Sequence, residues 1–473
     1  MRPVFIAAAL TSLALAGCAP TRKPDVRLPT AFEVAAAPAG AIELDRWWLV
    51  YNDPQLTTLI DQTLIANPDA RTAAARLTEA RADKLSALFQ FLPQGAATAS
   101  KKRTRTEQLS GTVANVPGFS TSGISENTAA NFNVSWEVDV FGRVLAARKA
   151  VNGDLAAARF AYEGARASLA AQVADAYFQA RGLAIQLADA RETARIQRSL
   201  YDVASKRAAL GLAAGQDADR VAGDLSQADA QAQALEAQLQ VQRRTLLILA
   251  GRIVEPTSNI AVVADLGEIP AIPVEIPSTL LARRPDVREA LARIASASGR
   301  ADGAALAFLP TFTLTPGIGW SKISQPGFNS TSQTWTIGGA ISQPVLSIPR
   351  LMADLKSSNA RTEQAVIAYE KSVQRAFAES ESALVQLDAD RRRVALLTDG
   401  ERRAARAYRA ARTGYDLGLN DLQTTLGAEQ TWRATRTQLT SAEVQALRRS
   451  VQAYKALGGG WPADRFPTQA QAR

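Results

Sequence analysis

The chain has 473 residues, 54 of them Lys or Arg against 45 Asp or Glu, giving a formal charge of +9. It contains no His and a single Cys, Cys18. That composition excludes His-based acid–base catalysis, Ser-His-Asp triads, His-ligated metals, internal disulfides and Cys-rich zinc sites. Only ten of the basic residues are Lys; the Arg residues are spread along Ala-rich stretches and interleaved with acids, without an RNA- or DNA-binding motif. No nucleic-acid partner is expected. Nor is any nucleophile–base constellation or cofactor motif visible, so no enzyme activity, cofactor or metal is expected. Length and a hydrophobic content of 47% are ample for two or three domains with a substantial core.

The N-terminus, MRPVFIAAALTSLALAGC, begins with a basic Arg2 and continues as an apolar run over 4–16. This is the length of a signal-peptide core and too short to span a bilayer as a helix. Leu15-Ala16-Gly17-Cys18 resembles the bacterial lipoprotein signal. The expectation is a signal peptide over 1–17 and a lipidated Cys18 starting an extended segment over 18–63. Ala19, rather than an Asp, favours outer-membrane delivery by the same resemblance.

A helical pattern over 64–93 ends in FLPQGAATAS, 91–100, and a strand is expected over 94–103. The insert 106–128 is rich in Ser, Thr, Asn and Gly and reads as a loop. NFNVSWEVDV, 131–140, alternates apolar and polar without a fault, predicting a strand with two unlike faces. No Pro occurs over 118–255, which Ala, Leu, Gln, Arg and Glu fill with helix propensity. One helix is expected over about 143–208 and a returning one over about 217–250, joined by a turn at 211–215 containing Gly211. At 1.5 Å per residue the first would be ~100 Å long. The second half repeats the plan: helix over 281–310, strands over 311–320 and 334–342 around a loop at 323–331, then helices over about 350–414 and 421–457 joined at Gly418. The last residues, 462–473, are expected to be disordered.

The likeness of the halves extends to sequence. At a shift of 217 residues, 64–93 falls on 281–310 with twelve of thirty positions identical, Pro68-Asp69 and Phe91-Leu92-Pro93 among them. At a shift of 207, Leu210-Gly211-Leu212 meets Leu417-Gly418-Leu419. Pro and Asp suit a helix start, and Pro93 and Pro310 stop the pattern. An internal duplication follows, with a first repeat over 64–255 and a linker plus second repeat over 256–461. Four strands are half of the smallest membrane barrel, so strands that span a membrane must be shared among several chains.

DRWWLVYNDPQLTTLI (45–60), NPDARTAAARLTEARA (67–82), SWEVDVFGRV (135–144), PSTLLARRPDVREA (277–290) and YKALGGGW (454–461) resemble, in order and spacing, the TolC-type outer-membrane efflux proteins. The lipobox places the likeness with their NodT-type lipoprotein branch. The resemblance implies an α+β fold in a homotrimer. Long antiparallel helical hairpins would form a periplasmic α-barrel, and four strands per chain a shared twelve-stranded transmembrane β-barrel. It implies a periplasmic adaptor and an inner-membrane transporter of the resistance-nodulation-division class as partners, outer-membrane lipid around the barrel, and passive conduction of drugs, toxic compounds or metal ions. Alternative readings are a conduit for type I protein secretion and a non-channel structural lipoprotein.

In the family, acidic residues at the turns of the long helices narrow the periplasmic aperture. Here Asn420 stands where a gate Asp often sits, with Asp421 beside it; in the first repeat Asp217 matches a frequent Asp. Both Asp residues equally suit caps of the returning helices. For the anchor, Cys18→Ser is expected to abolish palmitate labelling; labelling unchanged in the variant would remove Cys18 as the acylation site.

Overall fold

The computed structural model of the chain describes residues 24–29, 31–33, 44–107, 109, 123–211, 214–270, 272, 283–325 and 327–459. Cys18, the signal segment and the tail after 461 lie outside them. Seven α-helices are described: α1 Pro54–Ala66, α2 Pro68–Phe89, α3 Arg143–Ala209, α4 Gly215–Leu249, α5 Pro285–Leu306, α6 Ile348–Asp416 and α7 Leu422–Ala456. Six strand segments accompany them: β1 Gln94–Thr106, β2 Gly123–Val138, β3 Thr311–Leu314, β4 Gly317–Gln325, β5 Phe328–Thr336 and β6 Gly339–Ser342. The order helix, strands, long helix, shorter helix occurs twice, and α2 matches α5 in length at 22 residues, as α4 matches α7 at 35. The described residues form two compact units. One holds Thr78–Ala157 and Ala290–Ala368; the other holds Asp25–Leu77, Ala158–Glu289 and the residues from Tyr369 onward.

The second unit is helical, and its core is aromatic where the N-terminal segment meets the helices. A 3-10 helix at Leu44–Tyr51 precedes α1, so the extended conformation expected over 18–63 fails from Leu44 onward. The reason is local. Asp53 caps α1 through the backbone N–H groups of Gln55 and Leu56, and Pro54 fits the first helical position. The Asp53 carboxylate also accepts from Tyr177 at 2.8 Å and pairs with Arg181. Trp47 is fully buried, stacked 5.7 Å from the Tyr454 ring, and Tyr51 shares a 2.6 Å hydrogen bond with Ser450. Burial raises the Tyr51 phenol above its ordinary range and takes that of Tyr454 up to about 12.

At the start of α5, the buried Arg284 guanidinium joins three elements. It binds Asp286 at 2.8 Å, Glu379 of α6 at 2.8 Å and the carbonyl of Ala456, at the end of α7, at 2.9 Å. Ser380 donates to the same Ala456 carbonyl. A last-turn carbonyl that would otherwise be buried unpaired is thereby satisfied. The RRPD run at 283–286 is thus a wiring point as well as a helix start.

The first unit contains the sheet. β1 pairs antiparallel with β2 along its whole length, from Gln94 opposite Ser135 to Thr106 opposite Gly123. The other edge of β2 is taken first by β4 (Glu126 to Asn133) and then by β3 (Trp136 to Val138). β5 pairs with β4, and β6 with β3. The four continuous strands expected are therefore six segments in four lanes. The third lane breaks at Pro316, which has no N–H to donate, and the fourth breaks at 337–338. Hydrogen bonds cross the breaks: Val134 N–H donates to the Pro316 carbonyl and Thr315 N–H to that of Gly338. Strand also replaces loop at 123–128 and over most of 323–331, since Ser, Thr and Asn there are held in cross-strand ladders.

Strand and helix are joined by a compact set of contacts. Asp139 accepts from the N–H groups of Gly142, Arg143 and Val144 and so caps α3. Arg143 donates to Glu137 at 2.8 Å and to the carbonyls of Leu306 and Leu309 at the end of α5. Within the same unit α3 and α5 then meet backbone to backbone. A Cβ on Gly153 would lie 2.5 Å from the Ser296 nitrogen, and one on Gly299 would collide with the backbone of Ala150. Asp154 closes the contact through Ser296 and Arg300, both at 2.6 Å. Gly153→Ala and Gly299→Ala are each expected to destabilise by about 1–3 kcal/mol, overpacking outweighing the better helix propensity of Ala. Denaturant melts of the purified variants check this; melts at or above that of the unsubstituted protein would mean the helices part freely.

Candidate functional site

The register sorts the sheet into two faces. On one, Phe132, Val134, Trp136 and Val138 of β2 align with Phe312, Leu314, Ile318 and Trp320 of the third lane and with Trp335 and Ile341 of the fourth. β1 adds Ala97 and Ala99. The other face carries Thr98, Asn131, Asn133, Ser135, Thr313, Thr334 and Thr336. The apolar side chains stand open: Trp335 is 75% and Ile341 71% exposed. From Ala130 to Val138 the apolar face covers nine residues, roughly 30 Å of strand, and at a tilt of ~40° it matches the ~25 Å apolar band of a membrane barrel. Among the described residues, no helix is long and apolar enough to cross a membrane.

β2 is bonded on both edges, whereas the outer edges of β1 and of the β5–β6 lane have no partner among the described residues. The four lanes thus present a lipid-like face, a water-like face and two open edges.

In the helical unit, the two turns between long helices lie next to one small core. Leu200, Val221, Tyr415 and Leu426 bury together, one from each of α3, α4, α6 and α7. Gly211 and Gly418 end α3 and α6 with φ of +71° and +77°, a conformation that a side chain would strain. Leu210, Leu417 and Leu419 beside them are 73%, 69% and 77% exposed. Asp421 caps α7, accepting from the Thr424 N–H at 2.7 Å. Hydrogen bonds from the Thr424 side chain and N–H hold its exposed carboxyl below the usual range. Asn420 folds back on α6, its amide donating to the Ala411 carbonyl at 3.3 Å. Asp217 is half-buried in the first turn of α4, whose cap residue Ala214 makes no side-chain bond.

Sequence reasoning missed a second acidic feature behind these turns. Glu429 of α7 is fully buried and accepts from the Gln197 amide of α3 at 2.7 Å. Arg433 lies 3.6 Å away without forming a hydrogen bond to it through Nε. One oxygen each of Glu429, Gln197 and Asp224 is buried with no hydrogen-bond donor among the described residues. Burial, reinforced by the charge of Asp224, raises the Glu429 carboxyl above the usual range against the pull of Arg433 and Arg412. The available signal was a carboxylate in the apolar stripe Leu422, Leu426, Glu429.

Comparison with known proteins bears on what this arrangement serves. The chain matches the family described as outer membrane efflux protein over residues 59–252 and 276–459. It is 32% identical over 462 residues to the pyoverdine export outer membrane protein OpmQ of Pseudomonas putida, covering 96% of this chain and 97% of that one. It is 28% identical to the cation efflux system protein CusC of Escherichia coli, over 98% of this chain and all of that one. Among solved structures, the outer-membrane channel OprN superposes with a TM-score of 0.78 at 26% identity, over 93% of this chain and 99% of that one.

The Glu429 site makes a pH prediction. A carboxyl with its folded-state pKa raised binds a proton more tightly when folded. Its favourable contribution is complete below the ordinary Glu pKa of ~4.3 and is lost as pH rises through the folded value. Glu429→Gln is therefore expected to raise the melting temperature at neutral pH, with the gain shrinking as pH falls toward that ordinary value. A gain that persists unchanged at low pH would mean Glu429 does not carry the effect.

Proposed function

Because the chain belongs to the outer membrane efflux protein family, we propose that three copies close one barrel in the outer membrane and form the exit duct of a tripartite efflux pump. The observation that carries this reading is the four-lane sheet with one apolar face, one polar face and two open edges. Edge N–H and C=O groups have no water to pair with in a bilayer, so an open sheet must close. Three four-lane sheets give twelve lanes, an apolar outer wall and a lumen lined by Asn, Ser and Thr. The twofold order of elements supports an internal duplication that supplies two hairpins per chain.

Lipidation at Cys18 would anchor each chain in the same membrane, since more than one acyl chain is needed for firm attachment. The long helices form the periplasmic duct, with their charged surfaces in water. Their turns are its inner end. Exposed Leu210, Leu417 and Leu419 there suit an apolar contact with a periplasmic adaptor, which links the duct to an inner-membrane transporter of the resistance-nodulation-division class. The channel itself performs no chemistry. Its cargo is set by the transporter, consistent with relatives named for pyoverdine export and for cation efflux.

Asp421, Asn420 and Asp217 are the proposed aperture residues. Three copies of Asp421, charged at neutral pH, would ring the axis and select by charge as other carboxylate rings do. Asp421 also caps α7, and two variants separate the roles: Asp421→Ser keeps a capping oxygen and removes the charge, whereas Asp421→Ala removes both. In planar bilayers the purified protein is expected to conduct, and both variants to raise its resting conductance several-fold. A rise in Asp421→Ala alone would assign the residue to capping. Failure of the unsubstituted protein to conduct would remove the channel reading.

A further inference from the structure

Just beyond the apolar band, the same sheet face turns basic. Lys101 of β1 is paired with Thr128 of β2, and Thr128 with Lys322 of β4, so the two lysines stand in one transverse row. Two strand spacings separate them by roughly 10 Å. Neither ammonium has an ion-pair or hydrogen-bond partner among the described residues. The arginines further out do: Arg103 pairs with Glu126 at 3.5 Å and Arg105 with Glu107 at 3.6 Å. Among the described residues of this face, the two unanswered cations are those bordering the apolar band.

The adjacent row toward the helices is Ala99, Ala130 and Trp320. Ala97, Ala99 and Ala130 leave a low strip beside the tall side chains of Phe132 and Trp320. Trp320 is 41% exposed at the border, a position that suits an indole with one apolar and one polar side. α2, α3, α5 and α6 all join the sheet at its opposite end.

We propose that Lys101 and Lys322 bind the phosphate groups of an acylated glycolipid in the outer leaflet, with an acyl chain lying on the alanine strip beside Trp320. The inference rests on the barrel reading, which places this face toward lipid and this row away from the periplasm. Charge and apolarity combine to single out a lipid. A soluble phosphate would use the lysines and leave the alanine strip bare, while an uncharged lipid would leave two ammonium groups unanswered at the membrane border.

The test uses the full-length trimer in detergent, with hexa-acyl bisphosphorylated lipid A and its enzymatically dephosphorylated form as probes, read by native mass spectrometry. A lysine near an anionic membrane surface contributes roughly fivefold in binding, so the pair predicts a roughly thirty-fold preference for the phosphorylated form. Lys101→Gln with Lys322→Gln should abolish the preference, and the double Arg variant should keep it. Equal binding of both lipids, or a preference that survives in the double Gln variant, overturns the assignment. So does displacement of the lipid by inorganic phosphate at the lipid's own concentration, which would make the ligand a free anion. Conductance of the same preparation separates the failures: a protein that does not conduct loses the channel reading, whereas one that conducts without phosphate preference loses this site alone.

Discussion

The hydrogen-bond ladder along β2 is the constraint on which the rest depends. It has a partner on each edge from Glu126 to Asn133, while β1 and the β5–β6 lane each have one. An edge strand in water can be left to the solvent. One that bears Trp335 and Ile341 toward hydrocarbon, as in the proposed barrel, cannot, because an unpaired backbone group there costs several kcal/mol. The face that makes the sheet fit a membrane is thus also what makes one chain insufficient in the proposed trimer. Even the breaks at Pro316 and 337–338 obey this demand, since backbone bonds bridge them.

A second constraint acts where strand becomes helix. Asp139, Gly142 and Arg143 set the start of α3 within five residues of the end of β2. Arg143 also ties that start to the end of α5. The glycine contact at Gly153 and Gly299 follows immediately. Junction and close packing are one device, in which the polar contacts fix the register and the missing side chains allow the approach. In the helical unit Arg284 has a similar office, but it works by satisfying buried carbonyls rather than by removing volume.

Much of this was legible in the chain. The long helices fall within about two residues of the limits read from the Pro-free windows, because propensity and spacing act over many residues and small local errors average out. The alternation at 131–140 gave the two-faced strand correctly as far as Val138, beyond which Asp139 caps α3 instead of continuing the ladder. The polar ends of the hairpins were not legible. Ser, Thr and Asn mark turns when considered locally, yet at 123–128 and 328–334 they are held in strand by partners distant in sequence. At the turns of the long helices, Gly211 and Gly418 were visible as turn residues, whereas Glu429 was not. A buried carboxylate is defined by what surrounds it, and Gln197 lies 232 residues away.

The sequence by itself determined the element order, the repeated plan, the unlike faces of the strands and the lack of any His or second Cys. These are properties of spacing and residue type, which act within a few turns or strands of the chain. Only the tertiary structure decided which lysines stand unanswered beside the apolar band, which glycines bring helices into backbone contact and which carboxylates are buried. Each of those depends on cross-strand register or helix packing, and a one-residue slip of β1 against β2 would send Lys101 to the opposite face.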